Sequence, residues 1–131
     1  MNPKLYHKHL LIRAEIKSPP LEYFDLDAEL GNLVKHIDMK ILSGPHTAWC
    51  WTEGNMGWSG TVIIETSSIT FHSWIEPHYP VIQLDLYSCK DINIKTVLLW
   101  LDQFDPKKID YKFIDRENEF VDLAEDKLSY L

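Results

Sequence analysis

Three strand-like runs follow one another in the middle of this chain, at residues 58–66, 68–76 and 81–89, with only a turn or a short loop between them. Such short connections dictate antiparallel neighbours, because a parallel pair needs a crossover of about a dozen residues or more. Alternation within the runs also assigns faces, since successive side chains on a strand point to opposite sides. In 81–89, Ile82, Leu84 and Leu86 share one face, and Gln83, Asp85, Tyr87 and Cys89 share the other. In 68–76, Ile69 and Phe71 point one way, whereas Thr70, His72, Trp74 and Glu76 point the other.

The flanking sequence supplies the second layer. Residues 5–16 read as a first strand, stopped at Ser18-Pro19-Pro20, where prolines remove ladder donors and fix a turn. Over 25–39, Leu26, Leu30, Leu33, Val34 and Ile37 recur at helical spacing behind Asp25, a suitable N-cap. Residues 39–52 read as a second strand interrupted at Gly44-Pro45, and 54–57 as a turn. A second helix is expected over 92–104, with Ile94, Val97, Leu98 and Leu101 on one face. Ile109, Tyr111 and Phe113 alternate with charged neighbours, so 107–115 reads as a half-buried edge strand. Residues 117–131, carrying Phe120, Leu123, Ala124 and Leu128, are expected to close the chain as a short helix. This order predicts an α+β fold: a two-layer sandwich, a mainly antiparallel sheet with helices on one face. The other face must be solvated, paired with another subunit, or used.

Composition narrows the partners. A chain of 131 residues is one domain's worth, long enough to bury about two-thirds of its surface on folding. The net charge of -7 argues against nucleic acid or an anionic membrane as the main partner, since both need a basic footprint. Two cysteines, Cys50 and Cys89, cannot build a disulfide framework. No apolar stretch approaches the roughly 20 residues of a membrane span, and no secretory leader opens the sequence. A cytoplasmic protein is expected.

His72, Trp74 and Glu76 stand in register on the more polar face. They suit either a solvated face with a stacked aromatic or a shallow site across two strands, and periodicity does not choose. Taken singly, His72 suits a structural histidine, Cys89 a small buried hydrophobe, Trp74 a packing residue and Glu76 a surface charge. His7 and His9 share a face of the first strand, but no compact ligand set accompanies them, so no metal is assigned. Trp49, Trp51 and Trp58 suit a carbohydrate platform, a substrate pocket or a subunit interface alike.

Together, the residues of 57–89 form a pattern. Gly57-Trp58-Ser59-Gly60, an apolar strand, Glu65-Thr66-Ser67-Ser68, and Phe71-His72-Ser73-Trp74-Ile75-Glu76 resemble the small, prokaryotic-type, pyruvoyl-dependent S-adenosylmethionine decarboxylases, whose segment reads G-x-S-G, strand, E-S-H, then I-H-T-W-P-E. Asp85-Leu86-Tyr87-Ser88-Cys89 resembles that family's D-x-x-x-C. The resemblance implies that the peptide bond between Thr66 and Ser67 breaks itself to leave a pyruvoyl group derived from Ser67. Ser59 and His72 would assist that processing, and Cys89 would protonate the product carbanion. Trp74 would stack on adenine and Glu76 would hold the ribose hydroxyls. A second stacking aromatic is expected from Trp49, Trp51 or Trp58. The pyruvoyl ketone would form a Schiff base with the substrate amine and act as the electron sink. The family further implies S-adenosylmethionine as substrate, supply of the aminopropyl donor for spermidine, a homodimer with sites near its interface, and residues 1–131 as a single domain of this kind.

Four positions depart from the pattern. Thr66 stands where the family has glutamate, Ser68 where histidine is common, Ile75 where proline is usual, and two extra residues separate Glu76 from Asp85. Taking Ser68 as the reactive serine would disturb the spacing to Ser59 and His72, which fits Ser67 without a gap. Two other functions compete: a pyruvoyl decarboxylase of another amino acid, such as arginine or ornithine, and a non-cleaving homologue that binds a ligand or partner. Retention of Trp74 and Glu76 disfavours the first, and Thr66 favours the second.

Overall fold

The computed structural model describes residues 7–76, 78 and 80–130. Its elements run β1 (Lys8–Ile16), α1 (Leu26–His36), β2 (Ile41–Cys50), β3 (Gly57–Ile64), β4 (Ser67–Trp74), β5 (Val81–Ser88), α2 (Ile94–Leu101), β6 (Pro106–Asp115) and β7 (Val121–Ser129), with a 3-10 turn at Asp102–Phe104 after α2. The strands form one seven-stranded sheet in the order β2-β3-β4-β5-β1-β6-β7, and every neighbouring pair is antiparallel. This is the expected α+β sandwich.

Alternation explains the core. Leu10, Ile12, Ala14 and Ile16 of β1, Val62 and Ile64 of β3, Ile69 and Phe71 of β4, and Ile82, Leu84 and Leu86 of β5 are all buried on the helix side. Leu26, Leu30, Leu33 and Val34 of α1 and Val97, Trp100 and Leu101 of α2 close over them. Trp100 ties the two helices together, its indole N–H donating to the Glu29 carbonyl at 3.0 Å. Asp25 caps α1 as expected, accepting from the Ala28 amide at 3.1 Å. Gly60 lets α1 sit close to β3, because a Cβ there would lie 2.9 Å from Leu30 Cδ1.

Two expectations fail at the C-terminal side. The segment 117–131 is not a terminal helix: Val121–Ser129 is the strand β7, paired with β6 so that Leu128 faces Ile109 and Ala124 faces Phe113. Ala124 and Leu128 satisfy a helical spacing and also a period of two, and both pack half-buried on the core. The open ladder of β6 decides between them, since strand formation depends on its neighbours more than on intrinsic preference. Consequently β6 is an interior strand and not the expected edge. β7 takes the edge, and Asp122, Glu125, Asp126 and Lys127 guard it with charge. At the opposite edge, the β2 register shifts around Gly44-Pro45, where a proline without an N–H is tolerated.

Candidate active site

The candidate residues fall at the two ends of β4. At its first residue, the two-residue loop Glu65–Thr66 turns β3 into β4, with Ile64 paired to Ser67. Thr66 holds a positive φ of 44°. For a β-branched side chain that is a steric outlier, in a turn position that ordinarily goes to glycine or asparagine. Ser67 is buried on the helix side. Its hydroxyl donates to the Glu65 carbonyl at 2.9 Å and accepts the Cys89 amide at 2.9 Å. A serine oxygen has two lone pairs, so one remains to face a carbonyl carbon.

Cys89 follows the last residue of β5 and lies beside Ser67, with its thiol 3.1 Å from the same Glu65 carbonyl. Burial pushes this thiol up, but hydrogen bonds from Ser67 and Thr66, its own backbone, and the Lys90 charge outweigh that and hold it below its ordinary range. The strand ends at Ser88, so Cys89 escapes the alternation and packs partly against the core. Its expected place on the polar face with His72 and Trp74 is therefore corrected.

At the other end, on the face away from the helices, Ser59 and His72 are register partners. Ser59 Oγ lies 2.8 Å from His72 Nδ1. Trp74, two residues on, has its ring 6.2 Å from the His72 ring, and its indole nitrogen donates to Asn55 Oδ1 at 3.3 Å. Asn55, Gly57, Ser59, His72 and Trp74 share a shallow cavity of about 270 Å³. Glu76 lies just past the strand, half-buried at the same end. Gly57 is what allows this end to close: a Cβ there would lie 1.9 Å from the Ser73 carbonyl oxygen.

Of the three candidate tryptophans, Trp58 also lines this cavity. Trp49 and Trp58 are register partners with rings 5.4 Å apart. Trp58 donates to the Leu21 carbonyl at 2.9 Å, on the approach to α1. Trp51 stacks edge-on against Trp49 at 5.5 Å. Among the described residues, no ring contact joins any of the three to Trp74, whose nearest aromatic is His72. His9 is taken up in a surface network with Asp85 at 3.7 Å and Arg116 at 3.3 Å. Among the described residues, no group of three or more His, Cys, Asp or Glu side chains converges as metal ligands would, and no helix is long and apolar enough to cross a membrane.

Asn55, which accepts from the Trp74 indole, escaped the sequence pattern, and so did two details of residues within it: the Glu65 carbonyl that gathers Ser67 and Cys89 and the positive φ of Thr66.

A family model describing S-adenosylmethionine decarboxylase matches residues 25–117, a span that includes both ends of β4. The chain belongs to the S-adenosylmethionine decarboxylase family. Its chemistry is accordingly that of a carboxy-lyase acting on S-adenosylmethionine. Among solved structures, the fold resembles the crystal structure of the adenosylmethionine decarboxylase from Aquifex aeolicus VF5, with 21% identity and a TM-score of 0.66 over 95% of this chain and 99% of that one. Comparison with curated proteins finds no match. Against the family pattern, this chain departs at Thr66, ahead of Ser67.

Proposed function

We propose that this member of the family cuts itself between Thr66 and Ser67 and then decarboxylates S-adenosylmethionine, supplying the aminopropyl donor for spermidine synthesis. The observation that carries this is the strained Thr66 turn, with the Ser67 hydroxyl and Cys89 side by side behind it. The Ser67 oxygen attacks the Thr66 carbonyl carbon, the C–N bond breaks, and an ester replaces the amide while the Ser67 nitrogen becomes an amine. A base removes the Ser67 α-proton, and elimination expels the Thr66 carboxylate to leave a dehydroalanine. Addition of water with loss of ammonia leaves the pyruvoyl group. The local donor set suits that group: a serine behind a strained turn, with a thiol beside it. Once formed, the pyruvoyl ketone supplies an electron sink for loss of CO2. Cys89 holds the proton that the product carbon needs, Trp74 offers a stacking face for the adenine, and Glu76 offers a carboxylate for ribose hydroxyls.

The base must come from elsewhere. His72 is five residues along β4 from Ser67, roughly 16 Å at the rise of an extended strand, and so cannot reach it within the subunit. We read the enzyme as a homodimer in which Ser59 and His72 of one copy serve Ser67 of the other. A two-fold pairing makes that exchange twice over, and the open sheet face is free for it. Residues 1–131 are read as one domain.

The same separation favours one rival, a homologue that stays whole and binds ligand without catalysis. Intact-mass measurement of purified protein decides between them. Two fragments split before Ser67, with the larger piece bearing a pyruvoyl terminus, are expected, and Ser67→Ala should leave the chain uncut. A wild-type chain that stays at 15.4 kDa after long incubation would falsify the proposal. Release of labelled CO2 from S-adenosylmethionine, against arginine and ornithine, tests the substrate.

A further inference from the structure

The structure assigns to Glu65 a role that neither its residue type nor its place in the turn announces. It is the positioning residue for the self-cleavage step, and the assignment rests on the self-cleavage reading above. Glu65 occupies the first seat of the loop that joins β3 to β4, where a type I or II turn accepts most residues. The turn therefore does not need a glutamate. Its contacts describe another use.

The Glu65 amide donates to the Lys40 carbonyl at 3.2 Å, and the Lys40 amide donates back to Glu65 Oε1 at 3.1 Å. Lys90 Nζ stands 3.9 Å from the same Oε1. One side chain thus fastens the turn to the residue before β2 and to the residue after Cys89. The Glu65 carbonyl, meanwhile, accepts from both the Ser67 hydroxyl at 2.9 Å and the Cys89 thiol at 3.1 Å. Where that carbonyl points decides where the Ser67 proton points, and so which lone pair of the oxygen faces the Thr66 carbonyl carbon. Thr66 is strained and would relax if the loop were loose. The carboxylate holds it.

The two side-chain contacts are unequal. The Lys90 pair is half-exposed on both sides, and such pairs contribute little. The Lys40 amide bond is charge-assisted and local to the hinge. An uncharged acceptor of the same shape should therefore do most of the work of the glutamate.

The experiment uses the full-length wild type, Glu65→Ala, Glu65→Met and Glu65→Gln, each purified rapidly. The cleavage half-time is read by intact mass. In the uncut fraction, iodoacetamide labelling of Cys89 is read against Cys50 of the same chain by peptide mapping. Glu65→Ala should cleave about tenfold or more slowly, the loss expected for a charge-assisted hydrogen bond. Its Cys89:Cys50 labelling ratio should also change, and Glu65→Gln should restore both readouts to near wild type. Glu65→Met keeps the length without the acceptor and gives the same reading if the alanine variant does not fold. Wild-type cleavage rates in the alanine and methionine variants would overturn the assignment, as would a glutamine variant as slow as they are. If the wild type never cleaves, the self-cleavage reading falls by itself. The labelling ratio then decides whether Glu65 positions Cys89, and an unchanged ratio overturns that too.

Discussion

The two ends of β4 are built by different means. At the Ser67 end, everything is local and mostly backbone: a two-residue loop, a strained Thr66, and amide and carbonyl contacts among Glu65, Ser67 and Cys89. At the His72 end, the site is made of side chains on an open face, with Ser59, His72 and Trp74 brought together by strand register alone. The first end carries the serine read as the nucleophile and a strained turn, and among the described residues no imidazole is bonded to it. The second carries the His72 imidazole and the Trp74 ring, away from the Thr66–Ser67 bond. Neither end is complete, and β4 is too stiff to fold one onto the other.

The sharpest way to break that comparison is to put the two ends on different chains. On the proposed reading, His72→Ala keeps Ser67 and loses the base, whereas Ser67→Ala keeps the base and loses the nucleophile. Each alone should stay uncut, since a positioned base is worth about a hundredfold or more. Co-expressed, they should form mixed dimers in which the His72→Ala chain is cut by the partner's His72. Intact mass separates the two chains and reads this directly. If the mixture stays whole while wild type cuts, the two ends do not meet across a dimer.

A smaller effect tests the strain at the Ser67 end. Glycine adopts φ of 44° without penalty, so Thr66→Gly should relax the turn. Strain of this kind is worth about 1–3 kcal/mol. If cleavage releases it, the variant should cut roughly 5- to 150-fold more slowly, and the uncut chain should resist thermal unfolding better. A glycine variant that cuts at the wild-type rate would leave Thr66 as turn chemistry and nothing more.

The same division governs how much could be read from the sequence. The His72 end was legible because strand alternation fixes faces, and Thr70, His72 and Trp74 do share the open one. The buried set on β4 and β5 was legible for the same reason, and Asp25 announced α1 as a cap. The Ser67 end was legible only as a motif. Period-two reasoning carried Cys89 one step past the end of its strand and onto the wrong face. Nothing in the pattern said that Glu65 would reach Lys40, because that bond depends on where β2 starts relative to the β3–β4 turn. The separation of Ser67 from His72 was in plain view as five residues of strand, yet motif order hides distance. At the C-terminal side, apolar residues that fit both periods gave a helix where the bare ladder of β6 takes a strand.

The finest test concerns Cys89, which on the proposed reading must keep a proton until the product carbon needs it. In the uncut chain its thiol lies below the ordinary range: burial raises it, but the Ser67 and Thr66 hydrogen bonds, the backbone and Lys90 together lower it more. Cys89 of the uncut chain should therefore react with iodoacetamide at lower pH than an unperturbed cysteine does. Cleavage then changes its neighbours. On the proposed cleavage, the Ser67 hydroxyl oxygen leaves its own residue as part of the new Thr66 carboxylate, an anion that disfavours a thiolate beside it. Both changes push the thiol up, so the labelling profile of Cys89 should move to higher pH once the chain is cut, while that of Cys50 stays in place. The proton donor would thus be completed by the same event that makes the electron sink. Rate-against-pH labelling of early and fully processed protein, mapped to each cysteine, reads the shift. A Cys89 profile that stays put or moves to lower pH would mean that the Ser67 end prepares the nucleophile alone.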